Sequence, residues 1–306
     1  MDAIAGLLDG PRARGAFLLK LALDPPWSVH IQDEAPIAVI SVVRGSTLVL
    51  SDDEAPVRLQ AGDVAIARGP RPYTIADDPA TPIQALVHPG QGCTTPEGQE
   101  LKLLTQHGTR TWGNTAEGST VLMTGVYESA GEISGRLLRA LPPLTVLRVD
   151  SPLVPLLADE IVKDEPGQEA VLDRLLDLLL IAVLRAYFAR PEAPGWYRAY
   201  ADPVVGPAIR MLHEEPAHPW TIQELAHRIG VSRAALARRF NDLVGEPPMS
   251  FLTSWRIALA ADLLLEPDAT VGSVAPQVGY GSSFALSTAF KRLKGISPQQ
   301  YRLRAT

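Results

Sequence analysis

The sequence is short of cysteine and of long apolar runs, and each shortage excludes a class of protein. A single cysteine in 306 residues cannot form an internal disulfide, which excludes a disulfide-stabilised secreted domain. No apolar run approaches the roughly 18 residues that a membrane span needs. The N-terminus lacks the basic start and the long apolar core of an export signal. These shortages predict a soluble, cytoplasmic protein without a membrane partner, and the length allows two domains.

The charge is acidic overall but unevenly distributed along the chain. A net charge of −6 by itself argues against nucleic-acid binding. From residue 203 onward, however, 11 lysines and arginines outnumber 8 aspartates and glutamates, whereas the first 202 residues carry 17 against 26. A mildly basic C-terminal segment on an acidic body is compatible with phosphate contact through a local patch.

Two short helices separated by a glycine turn are predicted after residue 220. Thr221 and Glu224 have the spacing of a capping box, which starts a helix with its first amides satisfied. Gly230 turns the chain, and Ser232 is a suitable N-cap for the second helix. Apolar residues at i, i+4 and i+7 mark one buried face of that helix, namely Leu236, Phe240 and Leu243. Two such helices with a basic outward face place side chains in a DNA major groove.

The same pattern repeats after residue 270. Gly279 takes the place of the first turn glycine, and Ser282 or Ser283 can cap the helix that follows. The apolar spacing recurs in Leu286, Phe290 and Leu293. A helix over Met249–Leu265, roughly 25 Å long at ~1.5 Å per residue, would hold the two recognition helices about one DNA turn, ~34 Å, apart.

One residue departs from this repeat. Pro276 lies inside the first helix of the second unit, where it removes an amide and crowds the carbonyl of Gly272. Such a proline costs up to ~3 kcal/mol unless the helix is very short. A distorted second unit that reads DNA less strictly is therefore one expectation.

Four sequence blocks accompany the two units, and together they resemble the DNA-binding domain of AraC/XylS-type transcriptional regulators. They are Gly245 with Pro247 and Pro248, Trp255–Leu264, Val278–Arg292 and Gly295–Arg302. The resemblance implies a sequence-specific regulator rather than an enzyme. Its partner would be double-stranded promoter DNA, with RNA polymerase as a further candidate partner.

By position, the resemblance assigns DNA contacts to the second helix of each unit. The base-contact residues are Ala234, Ala237, Arg238, Ser283, Phe284, Ser287 and Thr288. The phosphate-contact residues are Arg233, Arg239, Lys291 and Arg292. Arg238 can donate two hydrogen bonds to a guanine edge, worth roughly 1–3 kcal/mol of discrimination, whereas phosphate contacts position the domain without reading sequence. A solvated basic face is the alternative.

Residues 16–90 are short β-branched or alternating segments separated by turns, which is typical of a small β-barrel or jelly roll. Gln60–Asp63 with the following Arg68 and Gly69 resembles a cupin, and Thr120–Tyr127 resembles the end of the cupin-like sensor in one AraC-type subgroup. The predicted fold class is therefore α+β, with a cupin-like β-barrel, a helical linker or dimerisation segment, and an all-α domain holding two helix-turn-helix units. The predicted boundaries are residues 1–150, 151–202 and 203–306.

The helix expected over Gln168–Ala189 has a leucine-rich surface wider than one face needs. Packing against the barrel explains that surface as well as a homodimer contact does. The resemblance favours a homodimer, because similar regulators pair through helices in this region.

A barrel interior would hold one small organic effector, whose identity the sequence does not disclose. The candidate pocket residues are Trp27, His30, Arg44, Tyr73 and His88. A filled core without a ligand is the alternative, since strand alternation decides which of these side chains face inward.

Two further interpretations stay open. Metal-dependent cupins need clustered histidines and a glutamate, and the corresponding stretch, Arg71–Asp77, has no histidine. Neither a metal nor another cofactor is predicted, although His30 and His88 meeting across the barrel would suit a cupin metalloenzyme fused to a DNA-binding tail. Cys93, in a segment expected to be a mobile loop, leaves a redox or electrophile sensor as the other alternative.

Overall fold

The described part of the chain falls into two compact units. The computed structural model describes residues 17–52, 54–101, 107–108, 110–127, 141–149, 151–190 and 195–305. Described residues up to Ala189 belong to the N-terminal unit, and those from Arg190 onward belong to the C-terminal unit. This division falls inside the segment predicted as a separate linker. No helix within the described ranges combines the length and apolarity of a membrane span.

Strands make up most of the N-terminal unit. They are β1 Phe17–Leu23, β2 Ser28–Ile31, β3 Ile37–Arg44, β4 Ser46–Ser51, β5 Glu54–Gln60, β6 Asp63–Arg68, β7 Tyr73–Ala76, β8 Ala85–Val87, β9 Cys93–Thr94, β10 Thr111–Gly113, β11 Thr120–Tyr127 and β12 Leu144–Arg148. They form two six-stranded sheets, ordered β10-β1-β11-β3-β6-β12 and β5-β4-β7-β2-β8-β9. The inward side chains of both sheets share one apolar core. The predicted α+β cupin organisation is confirmed, with its described strands in two facing sheets.

Two helices, α1 Leu153–Glu160 and α2 Gln168–Phe188, complete this unit. Strand β11 packs closely against α2. A Cβ atom at Gly125 would lie 2.5 Å from a methyl group of Leu176 on α2. Two residues further along the same strand face, the hydroxyl of Tyr127 donates to the Asp177 carboxylate of α2 at 3.3 Å. The outer face of β11 therefore packs directly against α2.

The C-terminal unit is helical. Its helices are α3 Gly195–Ala201, α4 Val205–Glu214, α5 Ile222–Ile229, α6 Arg233–Val244, α7 Pro248–Leu263, α8 Val271–Gln277, α9 Ser283–Lys294 and α10 Pro298–Ala305. Helix α7 joins two apolar clusters, because Leu252 near its start packs in the first and Ile257 and Ala261 pack in the second. The first cluster holds α5 and α6, and the second holds α8 and α9. The predicted pair of helix-turn-helix units on one connecting helix is confirmed.

Candidate nucleic-acid interface

The first helix-turn-helix unit has the capping that its sequence predicts. The Thr221 hydroxyl accepts from the Glu224 amide at 3.1 Å and starts α5. Gly230 ends α5 with a φ of 81°, in the left-handed region that glycine enters without steric cost. The Ser232 hydroxyl then accepts from the Ala235 amide at 3.1 Å and starts α6. Local chemistry alone therefore fixes both helix starts and the turn between them.

The second unit repeats this geometry in spite of its proline. Thr270 and Ser273 form a reciprocal capping box at the start of α8. Pro276 is the penultimate residue of this seven-residue helix, so its missing amide removes only the hydrogen bond to the carbonyl of Gly272. Gly279 turns the chain with a φ of 79°, close to the value at the first turn, and Ser282 caps α9. One predicted core residue is wrong: the side chain of Leu293, in the last turn of α9, is 45% exposed.

Most side chains assigned to DNA contact lie on accessible faces of α6 and α9. The exposed base-contact candidates are Ala234, Arg238, Ser283, Phe284 and Thr288, while Ala237 and Ser287 are partly exposed. The ring of Phe284 is 81% exposed, which is unusual for a large apolar residue. Arg233, Lys291 and Arg292 are also exposed. The structure thus collects the predicted residues at the start and along one side of each recognition helix.

Arg239 differs from the other predicted phosphate contacts. Its Nε atom donates to both carboxylate oxygens of Asp202, at 3.0 and 2.9 Å, and a terminal nitrogen donates at 2.7 Å. Asp202 also accepts from the amides of Val204 and Val205 at 2.9 Å. Arg239 therefore makes a structural contact that ties α6 to the start of α4, and its contact with a phosphate stays a prediction. Sequence reasoning missed Asp202 because the pair spans 37 residues.

Arg256 of α7 links the two helix-turn-helix units. Its guanidinium donates to the carbonyl of Pro216 at 2.6 Å and to that of His218 at 2.7 Å. The turn glycine of the second unit, Gly279, lies against this guanidinium and against the backbone of Ala217. The segment before the first unit therefore contacts the turn of the second, which fixes their relative placement. No local sequence signal indicated this role for Arg256.

The N-terminal unit contains a cavity of about 60 Å³ between its two sheets. Its lining is mostly aliphatic and includes Leu19, Leu21, Val29, Ile31, Ile40 and Ile75. Of the five predicted pocket residues, Tyr73 lines this cavity. Burial, reinforced by the nearby Asp33 carboxylate, raises the pKa of Tyr73, so its phenol stays protonated.

The other four predicted pocket residues lie elsewhere, and this part of the prediction is corrected. Because Val29 and Ile31 face the cavity, strand alternation turns His30 away, and its Nδ1 lies 2.9 Å from the Thr74 hydroxyl. His88 follows the end of β8 and contacts the Thr94 hydroxyl at 2.8 Å. The remaining two are Arg44, which is exposed and donates to the carbonyls of Glu117 and Gly118, and Trp27, which is buried in the apolar core without lining the cavity.

Contrary to the prediction, Cys93 does not lie in a mobile loop. It belongs to β9, pairs with Val87 of β8 and is 7% exposed. Its thiol lines the cavity, and burial raises its pKa, so the reactive thiolate is disfavoured. Within the described ranges, no three His, Cys, Asp or Glu side chains are grouped to hold a metal ion.

Comparison with known proteins gives matches to both units. A sequence model of the cupin family matches residues 2–189, and a helix-turn-helix domain model matches residues 225–304. An AraC-like transcription regulator of Streptomyces lividans is 33% identical over 319 residues, covering 100% of this chain and 99% of the relative. The HTH-type transcriptional regulator MtrA of Neisseria gonorrhoeae is 27% identical over 316 residues, covering 99% and 98%.

A similar solved structure is the DNA-binding domain of AdpA, a global transcriptional factor, in complex with a target DNA. It is 34% identical and covers 34% of this chain and 92% of that chain, with a TM-score of 0.32. The family matches and the full-length relative, together with the two capped helix-turn-helix units, establish that this chain belongs to the AraC-like DNA-binding transcription regulators and carries a cupin domain at its N-terminus.

Proposed function

We propose that the chain reads a specific promoter sequence with both recognition helices and that its cupin domain senses a small molecule. The observation that supports DNA reading is the pair of helix-turn-helix units on α7. In each unit the second helix is capped at its start and exposes a short face. Because its proposed partner is promoter DNA, we propose that the protein acts in the cytoplasm, as a regulator and not as an enzyme.

The exposed side chains suit different kinds of DNA contact. Arg238 has the donors for a bidentate contact to guanine, and Phe284 offers an apolar face to a thymine methyl group. Arg233 has a donor group near the start of α6, where it suits a phosphate. Arg233 and Arg238 form no hydrogen bond or ion pair with other residues in the described ranges, so neither has to leave a protein partner in order to bind DNA.

The arginine assignments are tested with a matched pair of variants. Arg238→Ala should relax specificity at one base pair by about 1–3 kcal/mol, because it removes a base contact. Arg233→Ala should weaken binding to all sequences alike and reduce the salt slope of log K by about one, because it removes a phosphate contact. Mobility-shift titrations of an operator selected from random duplexes, at several salt concentrations, measure both effects. Unchanged affinity and specificity in Arg238→Ala would refute the proposed readout.

A second copy of the chain is the proposed partner of α2. Val171 and Leu178 lie seven residues apart, on one face of the helix, and are 44% and 49% exposed. Leu175, between them, is partly exposed. Large apolar side chains at this spacing are typical of a helix that pairs with another helix. A homodimer would also bring two DNA-binding domains to one promoter.

Leu178→Glu is expected to raise the dimer dissociation constant by at least about tenfold, because it places a charge in an apolar contact. Sedimentation equilibrium measures the change. Leu265→Glu is the matched control, since Leu265 is similarly exposed, at 40%, but lies in the C-terminal unit. Equal dimerisation of the two variants would exclude α2 as the contact.

Strand β11 is the proposed route from the sensor cavity to α2. Thr124 and Val126 line the cavity, whereas the alternate residues Gly125 and Tyr127 contact α2 on the other face. A ligand that displaces this strand would therefore change the position of α2 directly, because β11 and α2 are in contact. The effector then acts as a population shift between two arrangements of the dimer.

A further inference from the structure

The two recognition helices differ in the chemistry that they expose. Counted from the serine that caps each helix, Phe284 of α9 takes the place of Ala234 of α6, and Thr288 takes the place of Arg238. From residue 283 to residue 290 the sequence of α9 has no charged side chain. The second unit therefore has no arginine at the place where the first unit has its predicted guanine contact.

Phe284 is the main apolar group at the start of α9. Its ring is 81% exposed, the highest value among the large apolar residues that the structure describes. It is the second residue of α9, and the first residues of a recognition helix are those that reach base edges in the major groove. An exposed ring gains free energy when it covers another apolar group. In the major groove that group is the C5-methyl of thymine.

The polar groups beside Phe284 do not distinguish thymine from cytosine. The hydroxyls of Ser283 and Ser287 can each donate or accept, so they suit the O4 acceptor of thymine and the N4 donor of cytosine equally. The Thr288 hydroxyl donates to the Phe284 carbonyl at 2.9 Å, so its proton is not offered to a base. Lys291 lies on the same face, but seven residues after Phe284, about 10 Å along the axis, where it suits a phosphate. Phe284 is therefore the group of α9 that separates pyrimidines, and it does so by their C5 substituent.

We propose that the second helix-turn-helix unit reads the C5-methyl group of a pyrimidine through Phe284, whether thymine or 5-methylcytosine carries it. Both bases hold this methyl group at the same place in the major groove, whereas uracil and cytosine lack it. Methylation of a cytosine in this half of the operator would raise affinity about fourfold, the equivalent of one buried methyl group. The inference rests on the proposed DNA reading by both helices and names a DNA modification that would alter it.

Replacement of single bases in the DNA tests the proposal on the full chain. In an operator selected from random duplexes, each thymine is replaced in turn by deoxyuridine, by cytosine or by 5-methylcytosine, the last two opposite guanine. Mobility-shift titrations give the dissociation constants. Deoxyuridine should bind about fourfold more weakly than thymine at a position ~10 base pairs, one helical turn, from the base pair that Arg238 reads. At that position 5-methylcytosine should bind about fourfold more tightly than cytosine.

Variants of α9 assign these two methyl ratios to one side chain. Phe284→Ala should reduce both ratios to below about twofold, because the methyl group then loses most of its apolar contact. Phe284→Leu keeps a large apolar side chain and should hold both ratios above about twofold. Lys291→Ala is the matched control on the same face: it should weaken binding to all the duplexes alike and leave both ratios within about 1.5-fold of their wild-type values, because it removes no apolar contact.

Several results would overturn the proposal. They are methyl ratios near one throughout this half of the operator, a methyl effect at thymine with none at cytosine, ratios that fall as far in Lys291→Ala as in Phe284→Ala, and ratios that persist in Phe284→Ala, which would place the effect in the shape of the duplex itself.

Operator selection separates this inference from the proposed function. Failure to select any sequence would refute the proposed DNA reading and the methyl reading with it. A selected operator whose binding does not depend on the methyl group would refute only the role assigned to Phe284 and leave the DNA reader standing.

Discussion

Gly279→Ala is expected to lower the free energy of unfolding of the C-terminal unit by about 3 kcal/mol. A left-handed conformation costs alanine about 1–2 kcal/mol, and this glycine has a φ of 79°. The new Cβ atom would also lie 2.8 Å from the Arg256 guanidinium and 2.9 Å from the Cα atom of Ala217. The guanidinium cannot move without losing its bonds to two carbonyls, so crowding adds about 1–3 kcal/mol.

Gly230→Ala is the control for this prediction. Gly230 occupies the same place in the first unit with a φ of 81°, and nothing lies within 4 Å of its virtual Cβ atom. Its substitution should therefore cost only the conformational term, about 1 kcal/mol. Urea unfolding followed by circular dichroism measures both variants. Equal losses would show that Gly279 is needed for its backbone conformation alone and that Arg256 does not fix the two units against each other.

The helix-turn-helix units could be predicted from the sequence because their determinants are local. The caps Thr221 and Ser232 act within three residues, and each turn glycine acts at its own position. The effect of Pro276 depended on where α8 ends. In a helix that began a turn or more earlier, the proline would have kinked the interior, and the sequence did not specify that length.

The cavity in the N-terminal unit could not be predicted in the same way, because its lining depends on strand register. The prediction selected polar and aromatic residues by type, whereas the alternation of β2 places Val29 and Ile31 inward and His30 outward. Trp112 enters the cavity through a parallel pairing of β10 with β1 that joins residues about ninety positions apart. Such a pairing leaves no periodic trace within either strand. Cys93 was placed in a loop for a different reason: β9 has only two residues, too few to show an alternating pattern.

Asp202→Ala should destabilise the C-terminal unit by about 2–3 kcal/mol. The substitution removes a carboxylate that caps the first amides of α4, a role worth about 1 kcal/mol, and that accepts charge-assisted hydrogen bonds from Arg239, worth about 1.5–3 kcal/mol before solvent screening. The Asp202 side chain is 10% exposed, so water replaces these contacts poorly. Asp242→Ala is the control, because Asp242 is an exposed residue of the same α6, and a loss within 0.5 kcal/mol is expected there.

The pH dependence of that destabilisation identifies the carboxylate as its source. The hydrogen bonds from Arg239 lower the pKa of Asp202 from its usual value to about 2, whereas in the unfolded chain it is about 3.9. Because the folded pKa is the lower one, the stabilising contribution is complete above about pH 5 and is lost as the pH falls through 4 towards 2. Urea unfolding of wild type and Asp202→Ala should therefore give a constant difference from pH 7 to 5 and a shrinking difference below pH 4. A difference that stays constant down to pH 2.5 would mean that Asp202 stabilises the unit through its shape rather than through its charge.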